Sequence, residues 1–354
     1  MDQIKILKRA LNITIHYRVL WIFGILLALT SGGGGGNGGG SSHGGSSSNP
    51  PNNNFNWQNP FDGQNPLGKL QEMLTPQVVN TLIGAAIVLV CLILAWIVIG
   101  TILRYVSETA LIRMVDQHET SGEQLSARQG FRLGWSRAAF RMFLMDLIVS
   151  LLGLAAFLAA LLIAALPLLV WLTKNNPLQV LGTVLSVGLA LLVVFATILI
   201  GLALSLLLLF ARRAIAIEDL GIAEALRRGF NLLKARLGDI LLMGILLFGI
   251  GILWAILMIP VFIALVVAAL VIAGLPALLV AGITSLFTQG AIPWIVAGIV
   301  GGPLFLLIIS IPALILGGWY QVFTSSAWTL TYREAVALTT TKEPDDLLPA
   351  PEMA

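Results

Sequence analysis

The chain reads as an all-α, polytopic transmembrane helical bundle of about six spans, and three observations predict it. Of its 354 residues, 58% are hydrophobic and 10% charged, where a soluble domain carries about 25% charged residues; mean hydropathy is +0.94. Stretches 73–103, 147–173, 175–211 and 240–332 contain no Asp, Glu, Lys or Arg, and a spanning helix needs roughly 20 apolar residues. The basic residues, finally, sort to one side of any six-span topology. This composition excludes an ordinary cytosolic enzyme, a nucleic-acid-binding protein and a disordered chain.

The first span is expected at Val19–Thr30, lengthened by the upstream turn Leu11–Tyr17. The same region has signal-peptide features: Lys5, Lys8 and Arg9 precede an apolar core. Thr30 is a poor residue before a cleavage site, so the span is expected to be retained. Residues 31–66 are Gly-, Ser-, Asn- and Pro-rich and are expected to form a flexible extramembrane loop, because they cannot bury enough apolar area to offset their ordering entropy. Further spans are expected near 77–103, 138–166 (continuing past Pro167 to Trp171), 178–211, 237–259 (kinked or ended at Pro260) and 294–327. Whether 240–332 holds two spans or three stays open. Residues 1–334 form a single membrane domain, and 335–354 a disordered cytoplasmic tail.

Orientation follows from the positive-inside rule. With the N-terminus in the cytoplasm and six spans, eighteen of the twenty Lys and Arg face the cytoplasm, and Lys69 and Lys174 face outward. A multi-pass protein of the cell (inner) membrane with both termini cytoplasmic is therefore expected.

A three-fold repeat is also expected. Arg9 and Arg18, Arg128 and Arg137, and Arg227 and Arg236 are each nine residues apart, just before a span. Gly130-Phe131-Arg132-Leu133 corresponds to Gly229-Phe230-Asn231-Leu232, and Leu111-Ile112-Arg113-Met114-Val115-Asp116 to Ala214-Ile215-Ala216-Ile217-Glu218-Asp219, with a looser third copy at Leu330–Glu334. The unit is a short amphipathic helix followed by a helical hairpin, over about 1–116, 121–219 and 222–334. The amphipathic segments 124–137 and 222–236 carry the candidate lipid-headgroup contacts Arg128, Arg132, Arg137, Arg227, Arg228 and Arg236; a basic helix face is drawn to anionic lipid. Packing on the bundle while obeying the positive-inside rule explains the same charges.

Asp146 is the acidic residue set well inside an apolar span, where a carboxylate is costly unless paired or hydrated. No base stands at i±3 or i±4, so Arg104 or Arg212, at cytoplasmic span ends, is the expected partner. The roles open to Asp146 are a structural ion pair, a water-facing interfacial group, or proton and substrate coupling. Asp239 has Arg236 at i−3 and is expected to pair locally. Trp21, Trp135, Trp171, Trp294, Trp319 and Trp328 fit an interfacial belt, and Trp96 and Trp254 deeper packing. Gly153, Gly201, Gly244, Gly249, Gly251, Pro303 and Pro312 are expected to allow close contacts and kinks; Gly301-Gly302-Pro303 is a point at which the last span could break, though an unbroken span is expected.

One cysteine, Cys91, and three scattered histidines give no metal site. No H-E-x-x-H, G-x-S-x-G, S-x-x-K or Walker pattern occurs, so neither catalysis nor a cofactor is expected. Tyr17-Arg18-Val19-Leu20-Trp21-Ile22-Phe23-Gly24, together with Ile217-Glu218-Asp219 and Glu224-Ala225-Leu226-Arg227-Arg228-Gly229-Phe230, resembles a group of bacterial and archaeal six-span proteins. That group includes the membrane domain of some glycerophosphoryl diester phosphodiesterases and the YesL-like families of unknown function. In the phosphodiesterases catalysis belongs to a separate soluble domain, so the resemblance implies no enzyme activity. The expected role is membrane-organising, lipid-interacting or partner-binding; the alternative is transport of a small solute or lipid between the repeats. The expected partners are the bilayer and anionic headgroups, not nucleic acid.

Overall fold

The computed structural model describes residues 2–30, 76–172, 176–288 and 290–340, and these are helical throughout apart from short connections. The helices are α1 (Gln3–His16), α2 (Val19–Thr30), α3 (Pro76–Ser121), α4 (Ala127–Gly134), α5 (Arg137–Ala165), α6 (Asn176–Glu218), α7 (Ile222–Ala235), α8 (Leu237–Ser285) and α9 (Ile292–Thr340), with a 3-10 turn at Leu166–Leu172 after α5. The expected loop 31–66 and the tail beyond Thr340 lie outside the described residues.

Among the described residues, five helices are long and apolar enough to cross a membrane: most of α3, α5 with its 3-10 extension, α6, α8 and α9. The expected first span is not one straight helix. A break at Tyr17-Arg18 bends the axis by 98° between α1 and α2, and the described residues hold six spans only if this bent pair counts as one. The Trp21 indole N–H donates to the Thr14 carbonyl at 2.7 Å across the bend, fixing it. At 12 residues, α2 is about 18 Å long, short of the roughly 30 Å hydrocarbon layer.

Other boundaries also move. Pro260 neither ends nor divides its helix: α8 runs 49 residues through Pro260 and Pro276. Nor does Gly301-Gly302-Pro303 break α9, which is continuous from Ile292 to Thr340. Region 240–332 thus holds two long helices. Few alternatives to helix exist where no water can satisfy backbone groups, and such helices tolerate proline. α3 and α6 continue well past their apolar stretches, and α9 takes in residues 335–340, assigned above to a disordered tail. The amphipathic segment expected over 124–137 shortens to α4, begun by a capping box in which Ser126 and Gln129 satisfy each other's backbone N–H. α6 stops where Asp219 takes a left-handed conformation (φ 52°).

Tertiary contacts group the chain into two units: 1–37 with 103–354, and 38–102. The physical reason is visible in α3, where residues 83–99 are exposed on every side. Trp96, expected to pack, is 73% exposed.

The core of the first unit lies where the apolar stretches end. Val106–Val115 of α3, Leu209–Ala216 of α6 and Val322–Ala335 of α9 supply most of its fully buried side chains, joined by Ile6, Ala10 and Ile13 of α1, Tyr17, Leu20 and Phe23 at the start of α2, and Ala225 and Leu232 of α7. Trp328, placed above in an interfacial belt, is buried here against Phe210. Some of the expected close approaches occur: a Cβ on Gly251 would stand 2.8 Å from the Tyr320 hydroxyl oxygen of α9, and one on Gly244 3.7 Å from the Trp328 ring. Gly153, Gly201 and Gly249 have open space where a Cβ would stand. Gly24 of α2 instead packs directly on the Gly318 backbone of α9, and a Cβ on Gly318 would lie 2.7 Å from the Ile25 nitrogen. Gly134 packs in the same way on the Val106 carbonyl. Small residues are what let helix backbones meet this closely.

Candidate functional site

Two kinds of polar arrangement stand on this core: buried charges inside it, and basic, aromatic faces outside it.

The buried charges centre on Arg212. One turn of α3 places Tyr105 and Glu108 on a shared face, and α5 presents Asp146 toward them. Arg212 of α6 donates to Asp146 through Nη2 (2.6 Å) and Nε (3.3 Å), and to Glu108 through Nη1 (3.1 Å). Tyr105 donates its hydroxyl hydrogen to Asp146 Oδ2 at 2.8 Å. The three charged side chains are 9–14% exposed. One guanidinium thus joins carboxylates of two other helices, in the forked geometry that suits arginine. Of the two bases expected near Asp146, Arg212 reaches it. Arg104 stands over the Tyr105 ring, 5.9 Å from its centroid, and its Nε has no hydrogen-bond partner. Arg213 is 2% exposed; its Nη1 donates to the Leu209 carbonyl of its own helix. Both lie within electrostatic reach of Glu108.

Two further pairs tie the helix ends together. Arg113 of α3 holds Asp219 at 2.7 Å and donates to the Ala216 carbonyl at 2.8 Å. Arg333 of α9 holds Asp116 at 2.8 Å and donates to its backbone carbonyl. Between α6 and α9, Tyr332 donates to Glu218, which Arg228 also approaches at 3.5 Å. Sequence reasoning missed Tyr105, Glu108, Arg113, Asp116, Arg213, Glu218, Asp219 and Arg333 as members of this system. For Tyr105 and Glu108 the signal was available in their i, i+3 spacing. For the rest it was not, because each meets a residue about 80 or more positions away.

The outer faces combine charge with exposed apolar side chains. On α4 and its junction with α5, Arg128, Arg132 and Arg137 are exposed beside Phe131, Trp135 and Phe140; the rings of Phe131 and Trp135 stack at 6.1 Å. On α7, Arg227 and Lys234 are exposed with Phe230. On α1, Ile4, Leu11 and Ile15 are exposed beside Lys5, Lys8 and Arg9. Two of the six candidate headgroup residues are engaged within the chain: Arg228 with Glu218, and Arg236 with Asp239 at 3.7 Å and the Leu338 carbonyl at 3.4 Å. Among the described residues no group of Cys, His, Asp and Glu is arranged to hold a metal ion.

These features define a class: an all-helical protein with several apolar helices of membrane-spanning length, joined through a polar and apolar core at one end of them. Residues 9–328 match the model of a family of unknown function, DUF7544, and the chain belongs to that family. No curated protein and no solved structure matches it significantly.

Proposed function

We propose that this is a multi-pass protein of the cell membrane, non-enzymatic, that organises lipid at the cytoplasmic surface through α1, α4 and α7. The observation that carries the reading is the placement of exposed arginines and lysines beside exposed aromatic and aliphatic side chains on all three short helices. Each such helix presents an apolar face to the acyl boundary and a basic face to headgroups, at about 1 kcal/mol per basic residue on an anionic surface. The basic side is cytoplasmic by the positive-inside rule, with both termini on it. The likeness of Tyr17–Gly24 and Glu224–Phe230 to six-span membrane proteins supports the same placement.

The short helices also support a three-fold repeat. Each is followed, after a one- or two-residue break, by an apolar helix, and in each the first residue of the break donates its N–H to the carbonyl four residues back: Tyr17 to Ile13, Trp135 to Phe131, Arg236 to Leu232. Asp146 favours the organising role over transport, because its carboxylate is taken up by Arg212 and Tyr105.

Purification of the full chain in native-lipid discs tests the reading. Anionic phospholipid should be enriched over the surrounding membrane, and Arg128→Gln/Arg132→Gln/Arg227→Gln should lower that enrichment without unfolding the protein. A lipid profile equal to the bulk membrane, unmoved by the triple substitution, refutes it.

A further inference from the structure

A cavity of about 820 Å³ opens between α2, α8 and α9. Phe248, Trp254, Met258, Phe262 and Leu314 supply most of its apolar wall, and Ala28 and Leu29 close it from α2. No Asp, Glu, Lys or Arg lines it. Its polar handles are the Tyr320 hydroxyl and the Gln321 carboxamide, adjacent on α9, with the Ser310 hydroxyl about three turns earlier on the same helix. The Tyr320 ring stacks on Trp254 (centroids 5.8 Å apart, planes at 18°), and its hydroxyl lies over Gly251, where a Cβ would stand 2.8 Å from the oxygen. The aromatic stack and the missing side chain at Gly251 therefore hold this hydroxyl in place. Among the described residues neither the Tyr320 hydroxyl nor the carboxamide has a hydrogen-bond partner.

An unpartnered carboxamide in a charge-free stretch is costly in hydrocarbon and marks a functional position. The chemistry of the pair selects the ligand. A carboxamide offers a donor and an acceptor side by side, and the phenol adds either. The matching group is a hydroxyl next to a carbonyl. The absence of any basic side chain excludes a phosphate or carboxylate head. The long apolar wall asks for an alkyl chain.

We propose that this cavity binds an uncharged acylglycerol, its hydroxyl and ester carbonyl on Gln321 and Tyr320 and an acyl chain along the Phe248–Phe262 side of α8. The proposal rests on the membrane reading above, since the ligand enters from the bilayer. It assigns the two lipid classes to different places: anionic heads to α1, α4 and α7, a neutral lipid to the cavity.

Photolabelling of the full chain in phosphatidylcholine discs tests it, with a diazirine placed on the acyl chain of diacylglycerol or of phosphatidylcholine. Peptides covering 248–265 and 310–321 should take the diacylglycerol probe in preference to the phosphatidylcholine one, and unlabelled diacylglycerol should compete. Gln321→Leu and Tyr320→Phe should each weaken that competition about fivefold, and together about twenty-fivefold, as loss of one and two hydrogen bonds requires. Ala255→Trp, which fills the cavity from an exposed position, should abolish the preference. Equal labelling by both probes, or a preference indifferent to all three variants, overturns the proposal. Residues 87–97 of α3, exposed all round, are the internal reference and should take both probes alike. If they take neither, the membrane reading fails and the proposal with it; if they label and the cavity shows no preference, the cavity proposal alone fails.

Discussion

Replacing Glu108 and Asp146 singly and together reads out how the Arg212 cluster works. Arg212 makes three hydrogen bonds to the two carboxylates, at 2.6, 3.1 and 3.3 Å. All three side chains are largely withdrawn from solvent. At an effective dielectric constant of about 20, each charge pair at this range is worth roughly 4 kcal/mol before desolvation is subtracted. Asp146→Asn removes one anion but keeps an acceptor for Tyr105 and leaves Arg212 balanced by Glu108. Glu108→Gln leaves it balanced by Asp146. Each single change should therefore cost about 1–2 kcal/mol. The double variant takes both carboxylates from a largely buried guanidinium, which costs about 3–5 kcal/mol. The pair should thus be more destabilising than the sum of the singles by about 1 kcal/mol. Unfolding of the purified variants by sodium dodecyl sulfate in mixed micelles measures this coupling. Additivity within about 0.5 kcal/mol would refute the claim that the two carboxylates share one guanidinium. A fully stable Asp146→Asn would show that the carboxylate is not a structural anchor at all, and would reopen proton coupling.

Gly24→Ala should be destabilised by roughly 1–3 kcal/mol, because its Cβ would drive into the Gly318 backbone of α9. Gly153→Ala meets only open space and should be neutral or slightly stabilising; thermal melting in detergent compares the two, and equal melts reject the crossing. Reporter fusions at Ser46 and at Ala354 should report opposite sides of the membrane, and finding both on one side rejects the six-span topology. Phe131→Cys labelled with a nitroxide, in a Cys91→Ser background, should show the accessibility of a headgroup-level site; full exposure to aqueous quenchers counts against an interfacial α4.

What was legible in the sequence was set by composition and by short-range periodicity. Helical class, the apolar stretches of α3, α5, α6, α8 and α9, and the amphipathic faces of α4 and α7 depend on local pattern, which the residues display directly. What was not legible depends on length or on distant partners. The end of α8 could not be placed, because Pro260 is a helix breaker in water and is tolerated in an apolar, water-free setting. The bend after α1 could not be foreseen, because Tyr17 is locked by Leu125, more than a hundred residues away: its hydroxyl accepts from the Leu125 N–H at 2.6 Å. Asp146 stood out because a lone carboxylate among apolar residues is conspicuous. Glu108 did not, because it sits at the end of its apolar stretch among polar neighbours. Gly153, Gly201 and Gly249 were misjudged for a similar reason: spacing along one helix says which face a glycine occupies, not whether another helix lies there.

The junction of α3 with the end of α6 separates two ways in which arginine can hold helices together. Arg113 contacts the Asp219 carboxylate at 2.7 Å, yet that carboxylate is 69% exposed. A pair so open to solvent contributes about 0.2–1 kcal/mol. Arg113 also donates to the carbonyls of Ala216 (2.8 Å) and Leu133 (3.4 Å), and its own side chain is 18% exposed. The Ala216 carbonyl is one of those that the end of α6 leaves without a helical partner. Asp219 meanwhile sits at φ 52°, where a Cβ costs roughly 1–2 kcal/mol and glycine costs nothing. Asp219→Gly therefore loses a weak pair and relieves backbone strain, and should leave stability nearly unchanged. Arg113→Ala uncaps carbonyls of α6 and α4 and should cost about 1–3 kcal/mol. Chemical unfolding of both variants under one set of conditions decides the matter. If Asp219→Gly is as damaging as Arg113→Ala, the ion pair holds the junction; if only Arg113→Ala is damaging, the arginine acts as a cap for helix ends, and the carboxylate merely orients it.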